Sequence, residues 1–351
     1  MLQLAALLIY YPVFYSNYLY TDEAVQLWNY RPGSGYHMFT EQGRYLTDVL
    51  MSSLFGRADT ISDVRYLRIF SFAGWLVCIP IWFLVLKNVL AEAGLKNPLA
   101  FLITLWLIGS PSFGISIGWA STMELFIANT AGLLGGYGIY LLLVRNELPV
   151  SKNLLMLLSF AAGLVSLFTY QNGFGCFLLP FFLYTLLHPG RYSVAIRGLM
   201  FFAAIALVYF LLFRYQMQVM NIEGSGRTGI RFSPVKKIVF FFTKALPPAF
   251  FGNLVYTESD RTALFYFTPF FLLMLFGTFR WFPVRIAGGV IATGPGADAP
   301  VIRARPSIAI GLTLQHLLVL LLLLMLMYFP SLLVKENYAS ARTRLVTSAS
   351  R

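Results

Sequence analysis

The amino-acid sequence predicts an all-α fold: a polytopic helical membrane bundle of about nine spans, with amphipathic interfacial helices in two outer loops. Three observations predict it. Hydrophobic residues make up 58% of the chain and charged residues only 11%, whereas a water-soluble domain carries roughly a quarter charged residues. Several apolar stretches exceed the ~18 residues that license a spanning helix. The clearest runs from Ile308 to Phe329 and contains Leu317-Leu318-Val319-Leu320-Leu321-Leu322-Leu323-Leu324. The strict two-residue alternation of an outer-membrane barrel is absent.

The spans fall, in order, at about 2–20, 68–86, 98–109, 122–143, 154–170, 174–187, 198–213, 263–279 and 307–328. The third and sixth are short for a hydrocarbon core about 30 Å thick, which points to tilted or re-entrant segments. The chain, 1–351, reads as a single integral membrane domain with a first outer loop at 21–67, a second outer loop at 215–262 and a short C-terminal tail at 329–351. With the N-terminus on the cytoplasmic side, both long loops lie outside. The inner loops 87–97, 145–153, 188–197 and 280–306 then hold 10 lysines and arginines in 57 residues, against 14 in 131 on the outer side. That is the bias of the positive-inside rule. The first apolar segment lacks a cationic leader and a small-residue cleavage site, so it is expected to be retained.

The net charge of +12 suits lysines and arginines beside anionic lipid, and it suits an anionic substrate as well. No basic soluble module is present to hold nucleic acid. Cys78 and Cys176 both fall in apolar segments and read as small core residues, not as a disulfide framework or a thiolate metal site. His37, His188 and His316 show no ligand spacing. These residues therefore predict no metal site and no cofactor. The glycine-rich stretch Ala287 to Pro300 neither follows a strand nor opens a helix, so it reads as an inner loop and not as a phosphate cradle.

Each outer loop predicts a helix of its own. Between Gln42 and Phe55, Leu46, Val49, Leu50 and Leu54 recur at helical spacing, while Arg44, Asp48 and Ser52 stand four apart on another face. This describes an interfacial helix with its apolar face toward lipid or bundle and its polar face toward a cavity. In the second loop Ser233-Pro234 supplies a cap and a first-turn proline. Lys236, Lys237 and Lys244 then punctuate an Ile-Val-Phe-Phe-Phe run and read as side chains snorkelling to headgroups.

The residues with the most chemical promise follow the first span. Tyr20-Thr21-Asp22-Glu23-Ala24 places two carboxylates at a membrane exit, and Tyr36-His37-Met38-Phe39-Thr40-Glu41-Gln42-Gly43-Arg44-Tyr45-Leu46 follows in the same loop. A partly desolvated carboxylate there suits a general base acting on a hydroxyl, and a nearby arginine suits bidentate phosphate binding. Ordinary interfacial polarity is the plainer alternative. Glu124, near the outer start of the fourth span, is a further candidate because ionisable groups at membrane depth mark functional sites.

At these residues the chain resembles a family. The order of first span, Thr21-Asp22-Glu23-Ala24, Gln42-Gly43-Arg44-Tyr45-Leu46 and Tyr66-Leu67-Arg68-Ile69-Phe70-Ser71 is similar to bacterial glucosyltransferases that modify O-antigen, multi-span enzymes of the GT-C class. Phe168-Thr169-Tyr170-Gln171-Asn172-Gly173-Phe174 and the passage from Tyr328-Phe329-Pro330 to Ser340-Ala341-Arg342 extend the likeness. The resemblance implies a bacterial inner-membrane enzyme that takes a sugar, glucose among the options, from a polyprenyl-phosphate donor. The sugar passes to a hydroxyl of a glycan or lipid acceptor on the outer face. It implies that Asp22 is the base with Glu23 assisting, that Arg44 meets the leaving phosphate, and that Arg68 and Arg342 are weaker candidates for the same anion. Tyr170 and Gln171 would line the site. The tail is shorter than the resemblance leads one to expect. The rival class is a lipid-linked sugar flippase or other secondary transporter. Transporters place ionisable groups at the midplane, and here the charges concentrate in the outer loops.

Overall fold

The computed structural model describes residues 1–221, 234–242 and 306–328, apart from residues 32, 93, 96, 146 and 149. Every regular element among the described residues is helical. The chain opens with α1 (Leu2–Tyr10), which tightens into a 3-10 helix at Tyr11–Tyr15, where Pro12 supplies no N–H for the α-helical ladder. The first outer loop folds as α2 (Thr21–Asn29), the single turn α3 (Met38–Glu41) and α4 (Tyr45–Phe55). The bundle continues with α5 (Val64–Glu92), α6 (Asn97–Ile108) and α7 (Pro111–Gly118). After it come α8 (Leu125–Val144), α9 (Lys152–Thr169), a 3-10 stretch at Gln171–Leu178, α10 (Leu179–Leu187) and α11 (Ser193–Val219). The short α12 (Pro234–Phe240) and the apolar α13 (Pro306–Met327) complete the described elements.

The expected nine spans are not supported. Among the described residues, four helices are long and apolar enough to cross a membrane: Val64–Glu92, Ala120–Val144, Lys152–Thr169 and Ser193–Val219. A fifth crossing exists if α6 and α7, bent by 52° at their junction, act as one broken span. Hydropathy counts apolar residues but does not see where the helix stops. Leu2–Tyr15 and Gln171–Leu187 are each shorter than a span, and each combines a 3-10 stretch with an α-helix. The last apolar helix runs Pro306–Met327 over the span expected at 307–328, and its stretch Leu314–Met327 counts among the shorter apolar helices. The segment expected at 263–279 lies outside the described residues.

The core forms where α8 meets its neighbours. Gly132, Gly135, Gly136 and Gly138 stand along one helix, and a Cβ at Gly136 would run into the backbone of Phe177. Small residues of this kind let membrane helices approach closely. They admit the Gln171–Leu178 stretch against α8, and Phe174, Phe177, Phe181 and Phe202 fill the space behind it. Phe174 and Phe202 stack with ring centroids 4.5 Å apart. A second cluster joins α1 to α5 and α7 through Phe72, Trp75 and Phe113.

The first outer loop has a core of its own, made by Tyr30, Phe39, Met51 and Phe55 with Val64 and Leu67 from the start of α5. The helix expected between Gln42 and Phe55 forms as α4, with Leu46 and Val49 exposed while Asp48, Met51 and Phe55 are buried. The outward apolar edge suits a lipid boundary, and the polar Arg44–Asp48 edge turns inward. Thr47 Oγ1 ties the helix to the end of α9 by donating to the Thr169 carbonyl at 2.5 Å.

Candidate functional site

Three of the residues singled out in the sequence meet at the junction of the first outer loop with the end of α9. Arg44 precedes α4, and its Nε donates to Gln171 Oε1 at 3.0 Å although the two residues are 127 positions apart. Its guanidinium lies 4.3 Å over the Tyr170 ring. Gln171 Nε2 donates in turn to the Gln42 carbonyl at 2.7 Å and to Tyr209 Oη at 2.9 Å. Tyr209 donates to the Gly43 carbonyl at 2.9 Å. Gly43 makes the junction possible: it sits at φ 78°, and a Cβ there would collide with the Tyr209 hydroxyl. A left-handed backbone and a crowded approach both require glycine.

This network fixes one edge of a planar fork. Arg44 is only 8% exposed, yet its two terminal amino groups have no hydrogen-bond partner among the described residues. A guanidinium held at Nε and stacked on an aromatic face keeps its remaining donors for a bidentate anion such as a carboxylate or phosphate. Tyr170 is shared with a cavity of about 380 Å³ whose walls include Trp75, Trp82, Leu107, Phe113 and Asn129. Apolar walls with a few polar groups are the usual composition of a small-molecule site.

The two adjacent carboxylates are separated by the helix that carries them. Glu23 is fully buried, and its Oε2 lies 2.6 Å from Arg68 Nη2. The same carboxylate accepts from the Tyr20 N–H at 2.8 Å, capping α2, and from the Ala120 N–H at 2.5 Å. Arg68 also donates to the Tyr18 carbonyl at 2.7 Å and lies 3.9 Å over the Tyr18 ring. This pair joins α2 to α5 and is engaged on both sides. Asp22, one residue earlier, faces outward and is exposed. Its charge reaches Tyr36, whose phenol is held above its ordinary range mainly by burial and further by Glu41, Asp48 and Asp22.

A second polar cluster escaped the sequence reading. Asp48 is 4% exposed and accepts hydrogen bonds from Tyr30 Oη at 2.6 Å and Thr40 Oγ1 at 2.7 Å. His37 Nδ1 stands 3.0 Å from its Oδ2. Burial, and then the bond to Asp48, push the Tyr30 phenol far above its usual range. The signal was visible in the spacing, since Asp48 lies one helical turn beyond Arg44 on the polar face. What spacing could not show was that this face turns into the loop's core. Tyr209 had no signal at all, being one tyrosine inside an apolar run.

Glu124 is buried at the start of α8. Lys237 is 6% exposed, with its ammonium shifted downward by burial, so it does not reach outward as its neighbour Lys236 does. Lys244 and Arg342 lie outside the described residues. Among the described residues, no three His, Cys, Asp or Glu side chains converge as a metal site requires. Comparison with known protein families, characterised proteins and solved structures finds no match to this chain.

Proposed function

We propose that the protein is a membrane glycosyltransferase that moves a sugar from a polyprenyl-phosphate donor to a hydroxyl of a cell-envelope glycan or lipid. The observation that carries this reading is Arg44. Its guanidinium is locked at Nε by Gln171 and stacked on Tyr170, with both terminal amino groups left for an anion. Glycosyl transfer from a lipid phosphate develops negative charge on the phosphate oxygen as the bond to the anomeric carbon breaks. Donors already in place stabilise that charge without reorganising, often the largest single contribution to catalysis. The cavity that Tyr170 lines together with apolar side chains suits the apolar part of such a donor.

The acceptor hydroxyl must lose a proton. Of the two carboxylates nominated by the resemblance, Glu23 is committed to Arg68 and Asp22 is open to substrate. Arg68, equally committed, is not available to the donor phosphate, so of the two arginines Arg44 is assigned that role.

Arg44→Ala is expected to lower kcat/KM for a polyprenyl-phosphate sugar by about 10–100-fold, the loss of one charge-assisted contact of about 1.5–3 kcal/mol. Arg44→Lys restores only part of it, because an ammonium does not reproduce the fork. Initial rates in membranes at matched protein levels check this. Unchanged rates for Arg44→Ala would leave it a packing residue of the loop.

A further inference from the structure

We infer that His37, oriented by the buried carboxylate of Asp48, is the residue that takes the proton from the acceptor hydroxyl. This rests on the transfer reaction proposed above and assigns its proton acceptor to a residue other than Asp22 or Glu23. His37 Nδ1 lies 3.0 Å from Asp48 Oδ2, and the carboxylate itself is fixed by Tyr30 and Thr40. A carboxylate that accepts from Nδ1–H holds the neutral imidazole in the tautomer with its lone pair on Nε2. The side chain is asymmetric in its surroundings: Asp48 is 4% exposed and His37 is 52% exposed. His37 lines an open pocket of about 550 Å³ shared with Tyr30, Arg31, Ser34, Tyr36, Ser52 and Arg57. Two aromatic rings, hydroxyls and arginine donors in one pocket suit a polar, hydroxyl-bearing molecule. No such pairing of an oriented base with a cavity exists for Glu23, which is sealed from solvent.

Asp48 is linked through the backbone to Arg44. The Asp48 N–H donates to the Arg44 carbonyl at 3.0 Å, so these residues are joined by one helical turn, about 5–6 Å along the axis. In the step, the acceptor oxygen bonds to the anomeric carbon while the bond from that carbon to the phosphate oxygen breaks. The electron pair leaves on the phosphate, and the hydroxyl proton passes to His37 Nε2. Asp48 is a positioning residue: it stabilises the resulting imidazolium without taking the proton.

The test uses full-length protein in membranes and compares His37→Ala, His37→Asn and Asp22→Asn at matched levels. His37→Asn keeps an N–H that can reach Asp48, so a clasp holding the loop survives in it while the proton acceptor is lost. We expect kcat to fall about 10²–10⁴-fold in both His37 variants, with KM for the acceptor little changed, and to fall far less in Asp22→Asn. Added imidazole should restore turnover to His37→Ala. Asp48→Asn should lower kcat, and adding His37→Ala to it should cost far less than in the parent, because groups acting as a unit are not additive. His37→Asn turning over within a few-fold of the parent, or a folded His37→Ala that imidazole does not restore, would overturn the assignment and leave the transferase reading standing. A parent protein that transfers no sugar from any polyprenyl-phosphate donor would overturn both.

Discussion

At Gly43 a single hydrogen atom in place of a side chain decides whether the Arg44 site assembles. The residue combines a left-handed backbone with direct contact to the Tyr209 hydroxyl and Gln171. Gly43→Ala is therefore expected to destabilise the protein by about 1–2 kcal/mol from backbone conformation alone, with a further loss from displacing Tyr209. Thermal unfolding of the detergent-solubilised protein measures the first effect. A parallel fall in donor affinity measures the second. Arg44 was legible in the sequence as an arginine in the same loop as two carboxylates, and Tyr170 and Gln171 entered only through the family resemblance. Tyr209 was not legible, since its function depends on a partner 166 positions away. Adjacent residues also proved to be poor guides to shared function. Asp22 and Glu23 point apart because successive helical positions differ by about 100° around the axis, and only Glu23 meets Arg68.

Among the elements, α2 and α5 are clamped by a pair that is costly to leave half-made. Glu23 and Arg68 are both fully buried, and removing one partner strands an uncompensated charge at a typical cost of about 3–5 kcal/mol. Glu23→Ala and Arg68→Ala should each destabilise the protein strongly, and the double variant should lose clearly less than the two effects added. Equilibrium or thermal unfolding of all four proteins supplies the cycle, and simple additivity would deny the coupling. The interfacial helix between Gln42 and Phe55 was legible in its periodicity, and it forms as α4. Its orientation was legible only in part: Leu46 and Val49 face outward as a lipid edge, while Asp48 organises the interior of the loop. The apolar segments that failed as spans were misread for a definite physical reason. Hydropathy reports the solvent preference of side chains, whereas Pro12 and Pro180 sit where the helix changes its geometry or begins.

Among the described residues, four apolar helices and one broken pair carry the membrane assignment, and the candidate chemistry sits at the end of α9 and in the loop before α5. Transfer from a lipid-linked donor requires that loop to face the outer side. Cysteines introduced within 21–67 should react with an impermeant reagent added to intact spheroplasts, and cysteines within 280–306 should not. Labelling of the first loop only after the membrane is opened would separate the Arg44 site from its proposed donor. The most direct measurement of the central claim follows one labelled sugar on a panel of polyprenyl phosphates in membranes containing the protein. A transferase moves the label to a glycan or lipid acceptor and releases polyprenyl phosphate in equal amount, and Arg44→Ala is expected to suppress both. Label that crosses the membrane still joined to its lipid, with no phosphate lipid released, would contradict transfer and make the protein a carrier of the intact donor.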